Sequence, residues 1–413
     1  MAKLEASELR RIIRQTLREF PWYESALREQ GCLRARDEDV PLAELPLMTS
    51  ERLEKHYYTP NQPLGRRPDL RCYRTSGTSS GLRKAIYYSE NDERAYAEIK
   101  SRMFAWFLAG TGVRSALSDM GTGHAADTAA GIFARIGLQA ESISFRLPVE
   151  KHLERLEKLR PNVLYTMPSI LDNLLRAADD PLRFRIRKVI LVGEAAAPAW
   201  IAGAAERLGI RETDVMDTYG SIEIGTIASY SHEHGRYVIA EGLGAEGLRT
   251  IPMPARGEPA SLADDESILT LTSSVRETFP AVRYVTYDVV RDLRPIRVDG
   301  ALRQSFQALV RRIGPELKHG EKISVYDIED VVYRHAGQAI VRIEVAGGKL
   351  RVHVGGGIGA EKLAAIGADL RERIPEIGRM VEGGLLEELQ VLALDEDSLA
   401  EESSIKHKKI YYS

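Results

Sequence analysis

A run of hydroxyl and glycine residues that ends in a lysine gives this sequence its strongest chemical signal: residues 74–84 read RTSGTSSGLRK. Glycines let a backbone approach an anion closely, hydroxyl and N–H groups donate hydrogen bonds to it, and Lys84 adds a positive charge. The run therefore predicts a loop that wraps a phosphate group. Its spacing of Gly77, Gly81 and Lys84 differs from the Walker pattern, and a flexible surface loop is the alternative for this run alone.

A second segment, DTYGSIE at residues 217–223, follows a predicted strand. The ring of Tyr219 is suited to stacking on a nucleotide base, and the carboxylate of Glu223 is suited to holding Mg²⁺ near phosphates. A strand-to-loop corner with a solvated glutamate is the alternative.

A third segment, RYVTYDVV at residues 283–290, carries one carboxylate on a predicted strand edge. A carboxylate accepts two O–H bonds at once, so Asp288 is suited to the hydroxyl groups of a ribose. Taken alone, the segment is better explained as an ordinary strand with an exposed aspartate. The ribose-binding interpretation is favoured only in combination with the other two segments.

The elements around these segments alternate between strand and helix. Apolar, β-branched runs predict strands at residues 162–165, 188–193 and 214–219, with helical segments between them. This β-α-β-α-β order predicts an α/β fold with a parallel sheet flanked by helices, and ligands bind such sheets at the carboxyl ends of the strands. Residues 237–300 predict a β-rich subdomain, and residues 41–72 predict an extended, loop-rich segment.

The C-terminal part has its own pattern. A helical segment, VYDIEDVVY, precedes two strands that flank Gly347-Gly348, a strong two-residue turn signal. A long amphipathic helix from about residue 360 to 380 and a further strand follow. We therefore predict a large N-terminal domain of several subdomains over residues 1–313 and a small α+β domain over residues 314–413.

Composition limits the class of protein. The chain has 413 residues, is 44% hydrophobic and carries a net charge of −3, so it can bury a large core but has no basic excess for nucleic acid. Two cysteines are too few for a disulfide framework or a cysteine-based zinc site. The charged N-terminus and the lack of any apolar run of about 18 residues favour a cytoplasmic protein that does not enter a membrane.

The three chemical segments occur in one order, and in this combination the chain resembles the adenylate-forming acyl-ligases. RTSGTSSGLRK, TYGSIE and RYVTYD resemble the phosphate loop, the Tyr-Gly-x-x-Glu segment and the Arg-Tyr-x-x-x-Asp segment of that superfamily. VGEA at residues 192–195 is similar to a turn that lies against adenine in the phenylacetate-CoA ligase branch and its shorter relatives in secondary metabolism. GEKISVYDIE at residues 320–329 resembles the start of the family's mobile C-terminal domain, so the resemblance covers roughly residues 70–413.

The resemblance implies a role for each matching residue. The residues that match the loop around the β- and γ-phosphates are Thr75, Ser76, Gly77, Thr78, Ser79 and Lys84. The residues that match the nucleotide-binding turns are Glu194, Ala195, Tyr219, Gly220 and Ser221. Glu223 would face Mg²⁺ and Asp288 the ribose. His124 would contact the acyl substrate, with a structural histidine at a helix start as an equal alternative.

A lysine near the C-terminus completes the implied site. Lys409 matches the family's lysine that reaches the reacting carboxylate and the α-phosphate, and Lys406 and Lys408 compete for that alignment. The implied reaction is ATP-dependent activation of a carboxylic acid, aryl in this branch, as an acyl-adenylate with release of pyrophosphate. Transfer to a thiol follows, either that of coenzyme A or that of an acyl carrier protein; the identity of the acid and a homodimeric state are left open.

The sequence departs from the family pattern at three places. The phosphate loop ends in SSGLRK at residues 79–84, where the family usually has Thr-Gly-x-Pro-Lys. Tyr287 stands where the family usually has a glycine before the aspartate. Residues 314–319, GPELKH, stand where the family usually has the hinge Gly-Arg-x-Asp-Asp, and this segment is interpreted as a shortened hinge. Because the hinge serves the second half-reaction, this last departure supports transfer to coenzyme A less strongly than adenylation.

Two other classes of function compete with this interpretation. Gly121, Gly123 and Ala126 fit the dinucleotide-binding pattern G-x-G-x-x-A with Glu141 downstream, but the preceding segment SALSDM is too polar for a buried first strand. A catalytically inactive scaffold is the other alternative, and the joint presence of the implied site residues argues against it. His232-Glu233-His234 is interpreted as a turn rather than a metal site.

Overall fold

The computed structural model describes residues 5–74, 84–120, 124–144, 147–194, 196–251, 262–313, 325–337, 339–346, 349–374, 377, 388–394 and 410–412. Within these ranges the helices are α1 (Ala6–Glu19), α2 (Tyr23–Glu29), α3 (Ser50–His56), α4 (Glu90–Leu108), α5 (His124–Arg135), α6 (Val149–Leu159), α7 (Pro168–Ala177), α8 (Pro198–Leu208), α9 (Val325–Ala336) and α10 (Ala360–Arg373). None of these described helices combines the length with the hydropathy that a bilayer crossing requires.

The strands of the same ranges are β1 (Arg71–Arg74), β2 (Ala85–Tyr88), β3 (Ser115–Met120), β4 (Gln139–Ser144), β5 (Val163–Thr166), β6 (Lys188–Val192), β7 (Val215–Ser221), β8 (Gly225–Ser231), β9 (Arg236–Ile239), β10 (Leu243–Leu248), β11 (Glu266–Ser273), β12 (Tyr284–Arg291), β13 (Arg294–Val298), β14 (Ala301–Phe306), β15 (Ala308–Arg312), β16 (Val341–Ala346), β17 (Lys349–Val354), β18 (Glu388–Ala393) and β19 (Ile410–Tyr412). The chain divides into two units, each built from two stretches of sequence, and it changes unit within β7.

The first unit comprises residues 1–107 and 218–321. It holds the antiparallel β1–β2 hairpin, a four-stranded antiparallel sheet in the order β10-β11-β12-β15, and an antiparallel run in the order β13-β14-β9-β8-β7. Apolar side chains from α1, α2 and α3 pack with those of β8, β9, β11 and β12 into one core. This core fixes the strand ends that carry the chemical segments of the unit.

The second unit comprises residues 108–217 and 322–413. Its parallel strands run in the order β6-β5-β3-β4, and a smaller sheet runs in the order β18-β17-β16-β19. Helix α9 packs against α8, where the Asp330 carboxylate accepts a hydrogen bond from the backbone N–H of Ala199 at 3.3 Å. The elements after residue 322 are therefore docked within this unit.

The structure confirms the predicted alternation of strands and helices. Strands β5, β6 and β7 alternate with α7 and α8, and β16 pairs with β17 up to Ala346 and Lys349. The two residues of the predicted turn, Gly347 and Gly348, lie outside the described residues. The prediction for residues 41–72 was wrong in part, because this segment contains α3. Thr49 caps that helix by accepting a hydrogen bond from the N–H of Arg52 at 3.4 Å. The division between residues 313 and 314 stays a prediction.

Candidate active site

Glu223 lies in the tight turn between β7 and β8, in the first unit. Two glycines make this turn possible. A Cβ atom on Gly220 would lie 2.6 Å from the carbonyl oxygen of Gly225, so only glycine fits there. Gly225 itself has a φ of +95°, a conformation that L side chains rarely adopt. The sequence signal Tyr-Gly-x-x-Glu therefore has a geometric cause, because it presents a half-buried glutamate at the end of a strand.

Tyr58 joins Glu223 to Lys84. The Tyr58 hydroxyl donates to Glu223 Oε1 at 3.4 Å, and Lys84 Nζ lies 4.9 Å from the centre of the Tyr58 ring, over its face. Burial, followed by the charge of Glu223, raises the pKa of Tyr58 well above its usual value, so the phenol stays neutral and donates. The structure thus groups two predicted site residues around a tyrosine that the sequence did not single out.

Asp288 lies on β12 and is held by a second tyrosine. Tyr219 donates its hydroxyl to Asp288 Oδ2 at 2.5 Å, and Arg312 Nη1 lies 3.7 Å from Asp288 Oδ1. The Asp288 charge is the first cause of the raised pKa of Arg312, while burial and then Asp288 raise the pKa of Tyr219. The prediction of a strand edge was wrong, since β12 is paired on both sides, with β11 and β15.

Tyr287 takes the place of the family's glycine at the cost of an unusual backbone. Its φ is +63°, in the left-handed region that glycine favours. The Tyr287 hydroxyl accepts a hydrogen bond from the N–H of Ser50 at 2.9 Å and lies 3.0 Å from Ser50 Oγ. A residue in this conformation carries strain of about 1 kcal/mol or more, which burial and the hydrogen bond of the phenol offset.

Glu194 is placed in the second unit, at the turn after β6. Both of its carboxylate oxygens accept hydrogen bonds at 2.9 Å from Ser169, one from the backbone N–H and one from the hydroxyl. Ser169 belongs to the first turn of α7, so the carboxylate lies at the positive end of that helix. Gly193 precedes it with a φ of +84°. The predicted adenine-binding turn is thus anchored to α7.

The carboxyl end of β3 holds a buried histidine–aspartate pair. His152 Nδ1 lies 2.8 Å from Asp119 Oδ2, and His152 Nε2 lies 3.2 Å from the carbonyl oxygen of Leu147. An imidazolium can donate from both ring nitrogens to these oxygens, and because burial also raises the pKa of the Asp119 carboxyl, the shared proton can lie on either partner. Burial alone lowers the pKa of His152, but the hydrogen bond and charge of Asp119 outweigh it, and the pKa ends above its usual value.

This pair explains why a polar strand can be buried. The segment SALSDM was predicted to be too polar for a buried strand, and that prediction was wrong, because β3 is buried along most of its length. His124, the predicted substrate contact, is buried at the first residue of α5, where its carbonyl accepts from the Thr128 hydroxyl at 2.7 Å. Ala126 lies in the same helix. His232-Glu233-His234 forms the turn between β8 and β9, with Ser231 bonded to His234.

Several predicted site residues fall outside the described ranges. They are Thr75, Ser76, Gly77, Thr78, Ser79, Gly121, Gly123, Ala195, Lys406, Lys408 and Lys409. The structure describes the residues on either side of the predicted phosphate loop. Strands β1 and β2 pair up to Arg74 and Ala85, and Lys84 directly precedes β2.

The donor set around Glu223 fits a magnesium ion that is shared with phosphates. Mg²⁺ usually takes one or two carboxylates and completes its shell with phosphate and water oxygens. Among the described residues, the Glu223 carboxylate makes no ion pair and accepts one long hydrogen bond, so it can accept a cation. The described ranges contain no cluster of three or more metal-binding side chains.

Comparison with known proteins identifies the family. Fumarate–(S)-2,3-diaminopropanoate ligase of Enterobacter agglomerans is 36% identical over 387 residues, covering 91% of this chain and 92% of the relative. The profile of the fumarate–diaminopropanoate ligase C-terminal domain matches residues 318–396. A 2-hydroxyisobutyryl-CoA ligase in the postadenylation state has a similar fold, with a TM-score of 0.69, 16% identity, and coverage of 99% of this chain and 88% of that one.

A second solved structure has a more distant likeness. The amide bond synthetase McbA from Marinactinospora thermotolerans aligns with a TM-score of 0.50 and 16% identity over 82% of this chain and 70% of its own. These comparisons confirm the predicted α/β fold and a ligase, against the dinucleotide-binding and inactive-scaffold alternatives. The chain belongs to the adenylate-forming acyl-ligase superfamily.

Proposed function

We propose that this protein joins a small dicarboxylic acid to an amino group of an amino acid, through an acyl-adenylate. The observation that carries the proposal is the 36% identity to a fumarate–(S)-2,3-diaminopropanoate ligase, which extends over 91% of the chain. The match of the C-terminal domain profile supports the same acceptor chemistry. An aryl acid and a thiol acceptor, which the resemblance alone implied, become the competing outcomes of the test.

The reaction balances in two steps. A carboxylate oxygen attacks the α-phosphorus of ATP and pyrophosphate leaves, which gives the acyl-adenylate. The amine nitrogen then attacks the acyl carbon, AMP leaves with that carboxylate oxygen, and the amide nitrogen loses a proton. Since little covalent chemistry is asked of the protein, its contribution is to position the reactants and to stabilise charge at phosphorus.

The residues of the first unit divide this task. Glu223 would hold Mg²⁺, whose charge would offset that of the phosphates, and Lys84 would add a second cation from the end of the phosphate loop. Asp288 would accept the ribose hydroxyls. Tyr219 donates to Asp288 at 2.5 Å and so occupies a site that a ribose hydroxyl would take over. The exchange of one O–H donor for another would keep a hydrogen bond on Asp288 Oδ2.

The remaining predicted residues complete the proposal. Glu194 and Ala195 would border the adenine, and the anchoring of Glu194 to α7 supports a fixed position for that turn. His124 would line the acyl pocket. The loop from Thr75 to Ser79 would grip the phosphates.

The acceptor is tested by product analysis. Purified protein is incubated with ATP, Mg²⁺ and fumarate, together with either 2,3-diaminopropanoate or coenzyme A, and the products are identified by mass spectrometry. The proposal predicts a fumaroyl amide and AMP with the amino acid. A thioester with coenzyme A and no amide would overturn the amine acceptor, and activation of aryl acids alone would overturn the dicarboxylic substrate.

Lys409 is tested by a matched series of lysine variants. If it reaches the reacting carboxylate, Lys409→Ala should slow acid-dependent pyrophosphate exchange by about 10²–10³-fold, the usual effect of losing one donor at a developing anion. Lys406→Ala and Lys408→Ala serve as controls at neighbouring positions. Amide formation from pre-made acyl-adenylate should stay near normal in the Lys409 variant, and an equal loss in both steps would contradict a role confined to adenylation.

A further inference from the structure

Arg276 is a buried guanidinium directly beneath the Glu223 turn. Its Nε donates to the carbonyl oxygen of Glu223 at 2.9 Å, and its Nη2 donates to the carbonyl oxygen of Tyr87 at 2.9 Å. Its Nη1 pairs with Asp92 Oδ2 at 2.5 Å, and the two side chains are 2% and 0% exposed. One side chain therefore connects the β7–β8 turn to β2 and to the first turn of α4.

Tyr88 extends this connection to the residue before Glu223. The Arg276 guanidinium stacks on the Tyr88 ring at 3.8 Å, and the Tyr88 hydroxyl donates to the carbonyl oxygen of Ile222 at 2.7 Å. Two successive carbonyl groups of the turn, those of Ile222 and Glu223, thus accept hydrogen bonds from this stacked pair. The backbone that carries the Glu223 carboxylate is fixed on both sides of its peptide.

Asp92 holds the guanidinium in this orientation. Its oxygens also accept from the N–H of Glu277 at 2.6 Å and from the N–H of Thr278 at 3.2 Å. A buried charge pair is retained at a cost in desolvation, which its hydrogen bonds must offset. A planar fork that bonds a carboxylate and two carbonyls at once is a property of arginine that lysine lacks.

We propose that Arg276 is a positioning residue that orients Glu223 toward the metal ion of the Mg²⁺–nucleotide complex. The inference rests on the proposed role of Glu223. Groups that orient a metal ligand from behind commonly change metal affinity about 10–100-fold when they are altered. Arg276 contacts the backbone of Glu223 rather than its carboxylate, so the lower end of that range applies.

The test measures metal binding directly. Mn²⁺ replaces Mg²⁺ as the probe, and its affinity for the protein–ATP complex is measured by electron paramagnetic resonance beside the melting temperature of the metal-free protein. Arg276→Lys keeps a positive charge opposite Asp92 and removes the fork. It should weaken Mn²⁺ binding about 10-fold. Tyr88→Phe removes only the hydroxyl that bonds Ile222, and it should produce a smaller weakening in the same direction.

Arg236→Lys is the matched control. Arg236 is a buried arginine of the same unit, which pairs with Asp292 at 2.7 Å and bonds Ser305 at 3.0 Å, away from the Glu223 turn. It should lower the melting temperature without changing Mn²⁺ affinity. In a Glu223→Gln background, Arg276→Lys should cause no further loss of Mn²⁺ affinity, because the two residues act through one ligand.

The outcomes separate the inference from the function on which it rests. If Arg276→Lys and Tyr88→Phe bind Mn²⁺ as tightly as Arg236→Lys while Glu223→Gln binds it weakly, Arg276 is only structural and the inference is overturned. If Glu223→Gln binds Mn²⁺ as tightly as the unaltered protein, the proposed metal role of Glu223 fails first. Should Arg276→Lys not fold, Tyr88→Phe carries the comparison alone.

Discussion

Two glutamates, Glu223 in the first unit and Glu194 in the second, occupy similar turns, but their carboxylates accept different hydrogen bonds. Each follows a strand, and each turn uses a glycine in a left-handed conformation, with φ of +95° at Gly225 and +84° at Gly193. From the described residues, the Glu194 carboxylate accepts two hydrogen bonds at 2.9 Å, one on each oxygen, whereas the Glu223 carboxylate accepts one at 3.4 Å. The Glu194 carboxylate uses both of its oxygens to hold its turn in place. The Glu223 carboxylate keeps acceptor capacity that a cation can use.

The buried ion pairs of the two units differ in a related way. The pair in the first unit, Arg276 and Asp92, joins a guanidinium that stays charged to an aspartate whose pKa is lowered: burial raises it, but Arg276 and backbone donors outweigh that effect. The pair in the second unit, His152 and Asp119, depends on a proton that histidine can lose. The Arg276–Asp92 pair beneath Glu223 therefore stays charged at all ordinary pH values, whereas the charge of the His152–Asp119 pair at the end of β3 depends on pH.

Removing the negative charge of the Arg276–Asp92 pair should have the largest effect on the free energy of unfolding. Asp92→Asn leaves Arg276 buried without its counter-charge, and breaking a buried pair in this way typically costs about 3–5 kcal/mol. The free energy of unfolding is measured by urea denaturation. Asp265→Asn is the control, because the Asp265 side chain is 56% exposed and lies 3.8 Å from Arg291; we expect it to stay within about 0.5 kcal/mol. Equal effects of the two variants would contradict a buried support.

Exchanging the two glutamates for glutamine sharpens the contrast in metal binding. Glu223→Gln should raise the Mg²⁺ concentration needed for half-maximal pyrophosphate exchange at least about 10-fold. Glu194→Gln should leave that concentration unchanged, whatever it does to the affinity for ATP. A similar Mg²⁺ dependence in both variants would contradict the account, because it would show that the different hydrogen bonding of Glu223 and Glu194 does not correspond to different roles in metal binding.

The hydrogen bonds themselves should differ in strength. Ser169→Ala removes a buried hydroxyl from Glu194 and should cost about 1 kcal/mol of stability. Tyr58→Phe removes the long hydrogen bond from its hydroxyl to the Glu223 carboxylate and should cost less, about 0.5 kcal/mol or under. Chemical denaturation of both variants gives the comparison, and a larger loss for Tyr58→Phe would reverse it.

The smallest effect expected is a pH dependence from the second unit. The pKa of His152 is raised in the folded protein from 6.5, so the folded state holds this proton more tightly than the unfolded state. The stabilisation is full below the unfolded pKa and is lost as pH rises through the folded one. Melting temperatures between neutral and alkaline pH should fall more in the unaltered protein than in His152→Gln. Parallel curves would show that the pair does not titrate in this range.

Much of the site's frame could be predicted from the sequence, because local signals specify it. The β-branched run before Gly193 predicts β6, and the glycine of Tyr-Gly-x-x-Glu is required by the close approach of Gly225. Tyr58 and Arg276 could not be predicted in the same way. They reach Glu223 from 165 and 53 residues away in the chain, and no local pattern records such contacts.

Two errors have the same physical origin. Asp288 was expected on a strand edge, but pairing of β12 with β15 depends on sequence that lies beyond the motif. The segment of β3 was expected to be too polar for a buried first strand, but His152 supplies a buried partner for Asp119 from a helix 33 residues further on. Burial of a polar residue depends on its partner, and the partner is set by the tertiary fold.

The most direct test of adenylation follows the oxygen atoms. Fumarate labelled with heavy oxygen in its carboxylates is incubated with the protein, ATP, Mg²⁺ and 2,3-diaminopropanoate, and the nucleotide products are analysed by mass spectrometry. Attack of the carboxylate on the α-phosphorus, followed by displacement by the amine, places one labelled oxygen in AMP. Label in inorganic phosphate, with ADP as the nucleotide product, would show an acyl phosphate instead and would contradict the account.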